Sequence, residues 1–418
     1  MLHNKILTLL QKKILPLALL LFVFTNVTFS LEKQTDNLTE FRSKIDSIVS
    51  SLECKVSVQI VSASEYDLLY EYNPKMKMIP ASITKLVTSA TALVELGTGY
   101  DFKTIVYTDD NNISDGVING NLYLKGYGDP DLNSSDISYL AEKIANKNIR
   151  EITGNIVFDE SYFDDKYYGL ANYYQSDTDL QWWPYISAIN LDKNSSKYDP
   201  ASSTAELLTA ELKDRKIKFE GITVSGYTPG VSKIVAQISH SIYDVISYMN
   251  KTSNNHSAIT LFKVIGAKYK SPPGTLDKGS EAVINFLSSI GIDRNNYEIL
   301  EGSGLTRYNM VTSDMMIRLL KYMYDQDNIF DYFYNSLSIA GVDGTLRKRM
   351  AGTEAESNVH DKTGTLNSVT TLSGYAVSRD NELIIFYIAM NGFNKGNTNY
   401  YRQRQNDICE IICQFSRN

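Results

Sequence analysis

Three short groups of polar residues, far apart along the chain, together contain the side chains of an acyl-transferring serine site. The groups are Ser82 with Lys85, Ser253 with Asn255, and Lys362, Thr363 and Gly364 followed by Thr365. In this chemistry a serine hydroxyl attacks a carbonyl and a nearby lysine amine takes its proton, while the other groups position proton donors and anchor the substrate. Such a site works without histidine or metal, so we expect no cofactor and no metal ion.

The first group opens a segment with helical periodicity. Pro80 precedes it, apolar residues recur from Ile83 to Val94, and Gly97 ends the run. Residues three apart share a helix face, so Ser82 and Lys85 can touch near the positive end of the helix dipole. Burial among apolar neighbours would lower the pKa of the lysine, as a general base requires. An ordinary amphipathic core helix would show the same periodicity.

The other two groups are predicted to lie on connecting segments. Ser253 and Asn255 fall between two helical stretches, where both residue types also occur for local hydrogen-bonding reasons alone. Lys362-Thr363-Gly364 precedes residues 369–377, which with 382–390 are typical of a β-hairpin. The glycine would let a substrate backbone approach the strand edge, and the lysine and threonine can hold a carboxylate.

Longer stretches give the chain a family resemblance. Residues 301–309, Glu-Gly-Ser-Gly-Leu-Thr-Arg-Tyr-Asn, resemble the Asp-Gly-Ser-Gly-Leu-Ser-Arg-x-Asn stretch of the D-alanyl-D-alanine carboxypeptidases and endopeptidases, the class C low-molecular-mass penicillin-binding proteins. Residues 341–349 and 124–130 resemble two further stretches of that family. These longer motifs are far more specific than the three short groups.

The resemblance implies a fold and a reaction. The fold is α+β, of the penicillin-binding and β-lactamase-like transpeptidase type, with an antiparallel sheet flanked by helices and an inserted, mainly β domain. The reaction is that of a serine-type D-Ala-D-Ala carboxypeptidase, with DD-endopeptidase activity open, on peptidoglycan stem peptides. It passes through an acyl-enzyme, and β-lactams such as penicillin inhibit it by binding covalently.

The resemblance also implies a role for each residue of the three groups. Ser82 is the nucleophile and Lys85 its base, and Ser253 passes a proton to the leaving amine. Asn255 holds the substrate amide. Lys362 and Thr363 bind the terminal carboxylate beside Gly364, and the backbone N–H groups of Ser82 and Thr365 form the oxyanion hole.

Some positions depart from the family pattern, and alternative functions stay open. Asn254 replaces a common aspartate and Ile259 a frequent glutamate, and these two positions bear on rate and substrate preference. A β-lactamase or esterase with the same site is one alternative. Glu281 imitates the deacylating glutamate of class A β-lactamases, although an amphipathic helix is the simpler interpretation. A catalytically weak cell-wall-binding module is another, and the intact serine-lysine pair argues against it.

Length and pattern predict two domains in 418 residues. A discontinuous catalytic domain would comprise residues 31–100 and 239–418. Its helices at 37–54 and 400–415 would share one face of a sheet that includes strands 56–63 and 66–72. The inserted domain would span 101–238, where segments 118–124, 152–158 and 219–224 look like equivalent β-segments. The further small domain that the family often carries there is expected to be missing.

Residues 1–30 have the pattern of a secretory signal, with lysines around apolar runs and small residues near Ser30. Removing them takes away three lysines and no acids, which changes the net charge from −7 to −10. We therefore expect an exported, periplasmic protein without nucleic-acid partners or stable membrane insertion after cleavage. An uncleaved anchor is the alternative. Ser30 and Lys33 repeat the serine-lysine spacing, but at the expected cleavage site.

Several other residues suggest chemistry less strongly. Cys54 could form a disulfide with Cys409 or Cys413, or all three could be buried thiols. Trp182 to Tyr185 could stack on a sugar, although a packing role is simpler. His256 adjoins the second group and His360 the third, where either could tune local protonation, although a structural role is simpler. Asp159 and Asp164 of the insert could meet a cationic peptide side chain, although solvated loops are simpler.

Overall fold

The computed structural model describes residues 36–168, 177–195 and 199–418. The predicted signal segment and the second serine-lysine match, at Ser30 and Lys33, lie outside these residues. The helices are α1 (36–49), α2 (Thr84–Leu96), α3 (Ser134–Ala145), α4 (Pro200–Asp214), α5 (Ile242–Thr252), α6 (Asn255–Lys270), α7 (Leu276–Ser289), α8 (Ser313–Tyr324), α9 (Asp327–Asn335) and α10 (Thr398–Gln414).

The strands form two large sheets and two small ones. They are β1 (Lys55–Ser62), β2 (Leu68–Tyr72), β3 (Asp101–Thr108), β4 (Val117–Ile118), β5 (Leu122–Gly126), β6 (Glu151–Ile152), β7 (Ile156–Asp159), β8 (Lys218–Phe219), β9 (Thr223–Ser225), β10 (Lys233–Ser241), β11 (Tyr297–Glu298), β12 (Met310–Val311), β13 (Ser338–Ile339), β14 (Val359–Leu366), β15 (Val369–Val377) and β16 (Leu383–Asn391).

A six-stranded antiparallel sheet joins the two ends of the chain. Its order is β13-β14-β15-β16-β1-β2. The predicted hairpin is β15 and β16, which pair from Val377 with Leu383 to Val369 with Asn391. The first strand, β1, then pairs over its whole length with β16. Because β1 leads through β2 to α2, this pairing brings the Ser82 turn to the same sheet as Lys362.

The two terminal helices pack on one face of this sheet, as the sequence predicts. Phe41 and Ile45 of α1 share an apolar core with Ile408 and Ile412 of α10 and with the sheet residue Ile388. The opposite face carries the helical part, in which α2 is surrounded and its residues from Thr84 to Leu93 are buried. The α+β transpeptidase-like fold is therefore confirmed.

The three look-alike segments of the insert stack in parallel. Strands β5, β7 and β9 lie side by side in one sheet, and β4, β6 and β8 form a second. An amide ladder links them, since Asn155 N donates to Asn121 Oδ1 at 2.7 Å and Ile222 N donates to Asn155 Oδ1 at 3.1 Å. The insert also contains α3 and α4, which pack against its sheet.

The insert begins and ends at one place. Asp101 at the start of β3 pairs with Ser241 at the end of β10, so the chain returns to where it left the helical part. The domain limits 101 and 238 stay a prediction, and β10 continues three residues beyond the second limit.

All three cysteines are free thiols, so the open disulfide alternative is not realised. Cys409 and Cys413 are buried in the core under α10, and Cys54 is half-buried beside Tyr401. Among the residues that the structure describes, no helix combines the length and apolarity that a membrane crossing needs.

Candidate active site

Ser82 lies in a tight turn immediately before α2. Residues Ala81–Ile83 form one turn of 3-10 helix, and the α-helix begins at Thr84. Ala81 has a φ of 49°, a left-handed conformation that costs an alanine roughly 1 kcal/mol or more. The turn leaves Ser82 half-buried between two buried neighbours. Its hydroxyl is thus held at the surface of the helical part.

Lys85 is fully buried one turn further along. Its Nζ donates to Ser82 Oγ at 3.0 Å, to Asn255 Oδ1 at 2.8 Å and to the backbone oxygen of Ser303 at 2.7 Å. Burial lowers the pKa of Lys85 well below its usual value. The positive charge of Lys362 acts in the same direction, and Glu301 opposes it. A neutral amine in contact with a serine hydroxyl is the arrangement that general-base activation requires.

The second group lies on the link between two helices, as predicted. Helix α5 ends at Thr252, Ser253 takes a left-handed φ of 57°, and Asn255 is the first residue of α6. This reversal sends the Ser253 hydroxyl towards Lys362 and the Asn255 amide towards the buried amine. Asn254 caps α6 by accepting from Ser257 N at 2.8 Å, so this departure from the family pattern keeps a good capping side chain.

Lys362 is a second fully buried lysine. Its Nζ donates to Ser253 Oγ at 3.0 Å and to the backbone oxygen of Thr363 at 2.8 Å. Burial lowers the pKa of Lys362 to about 7, against the opposing effect of the neighbouring carboxyl of Asp361. Lys362 therefore hydrogen-bonds Ser253 from the protein interior, and its amine is not exposed in the open space beside Ser82.

The strand that carries Lys362 was not predicted as a strand of its own. It is β14, and β13 covers its outer edge only at His360 and Asp361. From Lys362 to Leu366 no described strand pairs with that edge, so backbone groups there can meet an extended ligand. Gly364 packs closely against the Ser82 turn, since a Cβ there would lie 2.6 Å from the Pro80 oxygen.

Two cavities are lined by residues of the three groups, and one of them reaches the serine. One, of about 550 Å³, is lined by Ser82, Ser253, Thr345, Arg349, Thr363, Thr365, Asn399, Arg402, Gln403 and Asn406. The other, of about 680 Å³, is lined by Asp177, Thr178, Asp179, Trp182, Asn255, Leu305, Arg307, Thr365, Leu366, Asn367, Ser368, Lys395 and Thr398. We call them the Ser253 cavity and the Asn255 cavity. Thr365 borders both, so the two spaces meet beside the strand edge.

Sequence reasoning did not assign a function to Glu301. Its buried carboxylate accepts from the backbone N–H groups of Ser303 and Gly304, both at 2.6 Å, and from the Ser303 hydroxyl. These bonds fix the loop whose Ser303 oxygen accepts from Lys85. The motif at residues 301–309 could have predicted this role. An acidic residue directly before Gly-Ser-Gly is well placed to accept hydrogen bonds from the backbone N–H groups of a tight loop.

The expectation of solvated loops is wrong for Asp159, which ends β7, whereas Asp164 lies in a loop but is held there by an ion pair. Asp159 is fully buried and pairs with Lys125 at 3.0 Å. Asp164 pairs at 2.6 Å with Lys263, a fully buried lysine of α6. A carboxylate partner compensates the burial of a charged lysine, and these ion pairs tie the insert together and to the helical part.

Three other residues suggested by the sequence, His256, His360 and Glu281, make packing or surface contacts that fit a structural role. His256 is buried against Asn190 and Asn194, and burial lowers its pKa to about 3. The His360 ring stacks on the Tyr334 ring, with the two ring centroids 4.1 Å apart. Glu281 is half-exposed and pairs with Lys270 on the surface.

The tryptophan pair divides between packing and the site. Trp183 is fully buried and its Nε1 donates to Thr178 at 3.0 Å, which fits the packing role. Trp182 is 66% exposed and lines the Asn255 cavity.

Comparison with known proteins places the chain among peptidases. The model of the D-Ala-D-Ala carboxypeptidase 3 (S13) family matches residues 42–199 and 195–412. The chain is 28% identical over 445 residues to a D-alanyl-D-alanine carboxypeptidase of Actinomadura sp., covering 85% of this chain and 81% of that protein. It is 24% identical over 428 residues to the D-alanyl-D-alanine carboxypeptidase DacB of Haemophilus influenzae, covering 85% and 88%.

A solved structure shows the same fold. Penicillin binding protein 4 (dacB) of Haemophilus influenzae superimposes with a TM-score of 0.76 at 23% identity, covering 87% of this chain and 97% of that one. The same protein has also been solved in complex with a β-lactam, with a TM-score of 0.71 at the same identity and coverage.

Proposed function

This chain belongs to the D-Ala-D-Ala carboxypeptidase 3 (S13) family, and we propose that it cleaves the terminal D-Ala-D-Ala bond of peptidoglycan stem peptides through an acyl-enzyme on Ser82. The observation that carries the proposal is the 3.0 Å contact between the Ser82 hydroxyl and the buried Lys85 amine. A lysine whose pKa is lowered by burial can accept a proton near neutral pH, which an exposed lysine cannot do.

In the proposed first step Ser82 Oγ bonds to the carbonyl carbon while its proton moves to Lys85 Nζ. The backbone N–H groups of Ser82 and Thr365 stabilise the oxyanion, and Asn255 holds the acyl-side amide. Collapse of the tetrahedral intermediate breaks the C–N bond. The amine leaves with a proton that Ser253 donates, and transfer of the proton that Lys85 gained to Ser253 returns both groups to their starting states.

Water completes the cycle by attacking the acyl carbon. Lys85, neutral again, is positioned to take the proton of that water, since the same groups act in reverse during deacylation. The two cavities support a division of the substrate. The stem peptide would lie in the Asn255 cavity, and the departing D-alanine would lie beside Ser253.

A β-lactamase or esterase is the competing enzymatic function. Both use the same nucleophile, but a β-lactamase must hydrolyse the penicilloyl-enzyme rapidly. Within the described residues, the glutamate that imitates a deacylating group pairs with Lys270 away from the serine, and this favours a long-lived penicilloyl-enzyme. Inhibition by covalent penicillin binding is therefore part of the proposal. We also propose export to the periplasm and the domain limits given above.

The test is to incubate the purified protein with intact and with cross-linked stem peptides and to identify the products by mass. The proposal predicts release of D-alanine from the intact stem, and release of monomeric stems only if the protein is also an endopeptidase. Unchanged substrates combined with fast penicillin hydrolysis would establish the competing function. Absence of all three activities would leave a cell-wall-binding module.

A further inference from the structure

We propose that Arg402 of the C-terminal helix binds the carboxylate of the leaving group and makes the site selective for leaving amines that carry a free carboxylate. The inference rests on the proposed function and adds a specificity-determining residue to it. Arg402 lies 320 positions from the nucleophile in sequence and belongs to none of the three motif groups.

The first step of the argument is that Lys362 is not free to bind an anion in the cavity. It has no exposed surface, and two of its three N–H donors are bound to Ser253 Oγ and the Thr363 oxygen. The Thr363 hydroxyl donates to Thr345 Oγ1 at 2.9 Å. A charged substrate group therefore needs another cation in direct contact.

The second step is the charge of the Ser253 cavity. Its lining includes two arginines, Arg349 and Arg402, and no acidic residue. The chain has a net charge of −7, so a cavity lined by two cations and no acid has a charge of the opposite sign to that of the protein as a whole. An anion that enters it meets an attractive field on one side.

The third step distinguishes the two arginines. Arg349 is largely buried, and its guanidinium donates to Asn406 Oδ1 at 2.7 Å and 2.9 Å, to Gln405 Oε1 and to the backbone oxygen of Arg402. The guanidinium of Arg349 therefore makes its hydrogen bonds to residues of α10 and fixes this helix in place. Arg402 is half-exposed, and its Nη2 donates to Thr365 Oγ1 at 3.0 Å. No carboxylate of the described residues forms an ion pair with it.

The fourth step is the position of this guanidinium relative to the reaction. Thr365 supplies the proposed oxyanion N–H, and Ser253, the proposed donor to the leaving amine, lines the same cavity. In a terminal D-amino acid the carboxylate carbon is bonded to the carbon that bears this amine. A carboxylate beside Ser253 thus falls next to Thr365 and Arg402, where a planar guanidinium can bind it through two hydrogen bonds.

The consequence is a preference among leaving groups. A terminal D-alanine always presents the carboxylate, whereas an amidated terminus offers a neutral group that cannot pair with Arg402. Cross-linked stems would be cleaved efficiently only where the carbon next to the scissile amine bears a free carboxylate.

The experiment compares a peptide that ends in D-Ala-D-Ala with the same peptide ending in D-Ala-D-alaninamide. In the wild type kcat/KM should be higher for the free acid. In Arg402→Gln it should fall about 10- to 100-fold for the free acid, mainly through KM, as expected for losing hydrogen bonds to a charged group. The value for the amide should stay within about 2-fold of the wild type, and Arg402→Lys should restore part of the loss.

Arg404→Gln is the matched control. Arg404 lies on the same helix but pairs with Asp407 at 3.1 Å, so its removal should leave both substrates unchanged. The backbone oxygen that Arg349 uses remains in Arg402→Gln, and an unchanged thermal unfolding midpoint checks that the variant folds. Equal losses for acid and amide, or no loss for either, would overturn the assignment of Arg402. A wild type that hydrolyses neither peptide would instead overturn the proposed function on which the inference rests.

Discussion

Lys85 shows how strongly surroundings can change the chemistry of one residue. An ordinary lysine is charged and hydrated at neutral pH, whereas this one is fully buried with another buried lysine, Lys362, near enough to disfavour its charge. Glu301 limits the effect from the opposite side. The sequence predicted burial of this amine from the apolar spacing around it. It could not reveal the contact with Ser303, which lies 218 residues away.

The role of Lys85 as a base predicts a pH dependence. Only the neutral amine can accept the serine proton, so kcat/KM should rise with pH through the pKa of Lys85. Because burial lowers that pKa, this limb should lie well below pH 10.5. Lys85→Arg places a permanently charged guanidinium at this position, which cannot act as a base, so acylation by penicillin should slow about 10²- to 10⁴-fold.

The exposed Lys44 on α1 supplies the control for this variant. It pairs with Glu40 on the surface, so Lys44→Arg should acylate at the wild-type rate. Stopped-flow kinetics of penicillin acylation over a range of pH measure the acylation rates of the variants and the pH dependence of the wild type. A flat pH profile in the wild type, or an unimpaired Lys85→Arg variant, would refute the base assignment.

At the scale of elements, β14 holds the site together and is also the element that sequence patterns missed. The next two strands along the chain, β15 and β16, are rich in apolar and β-branched residues and were predicted almost to the residue. In β14 the central pair, Asp361 and Lys362, consists of ionisable residues that are fully buried. Alternating hydropathy cannot reveal such a strand, because two ionisable side chains stand at positions where a buried strand usually carries apolar ones.

The close packing of β14 on the Ser82 turn predicts the effect of Gly364→Ala. The added Cβ would lie 2.1 Å from Thr371 Oγ1 and 2.6 Å from the Pro80 oxygen, so the strand or the turn has to move. We expect a loss of roughly 1–3 kcal/mol in the free energy of unfolding, as for overpacked cores. The penicillin acylation rate should fall with it, because the oxyanion donors are displaced.

Gly396→Ala is the control for that substitution, since a Cβ there meets no atom within 4 Å. Chemical denaturation and acylation kinetics of the two variants give the comparison. If Gly364→Ala were as stable and as reactive as Gly396→Ala, β14 would not be held against the turn in the way described.

At the scale of the whole molecule, the site is assembled from both ends of the chain and from its helical centre. The family resemblance and the order of the motifs predicted this assembly, together with the terminal helices on one face and the repeated segments of the insert. The ion pairs of Asp159 and Asp164 were missed, because a buried lysine such as Lys263 looks in sequence like a surface residue of an amphipathic helix. Partners this distant become visible only in the folded structure.

The central claim is that Ser82 becomes acylated, and the most direct measurement is the mass of the intact protein after exposure to penicillin, followed by peptide mapping. We predict a mass increase of one penicillin molecule, carried by the peptide that contains Ser82. Ser82→Ala should show no adduct and should release no D-alanine from a stem peptide. An adduct on another residue, or a Ser82→Ala variant that keeps both labelling and D-alanine release, would contradict the account.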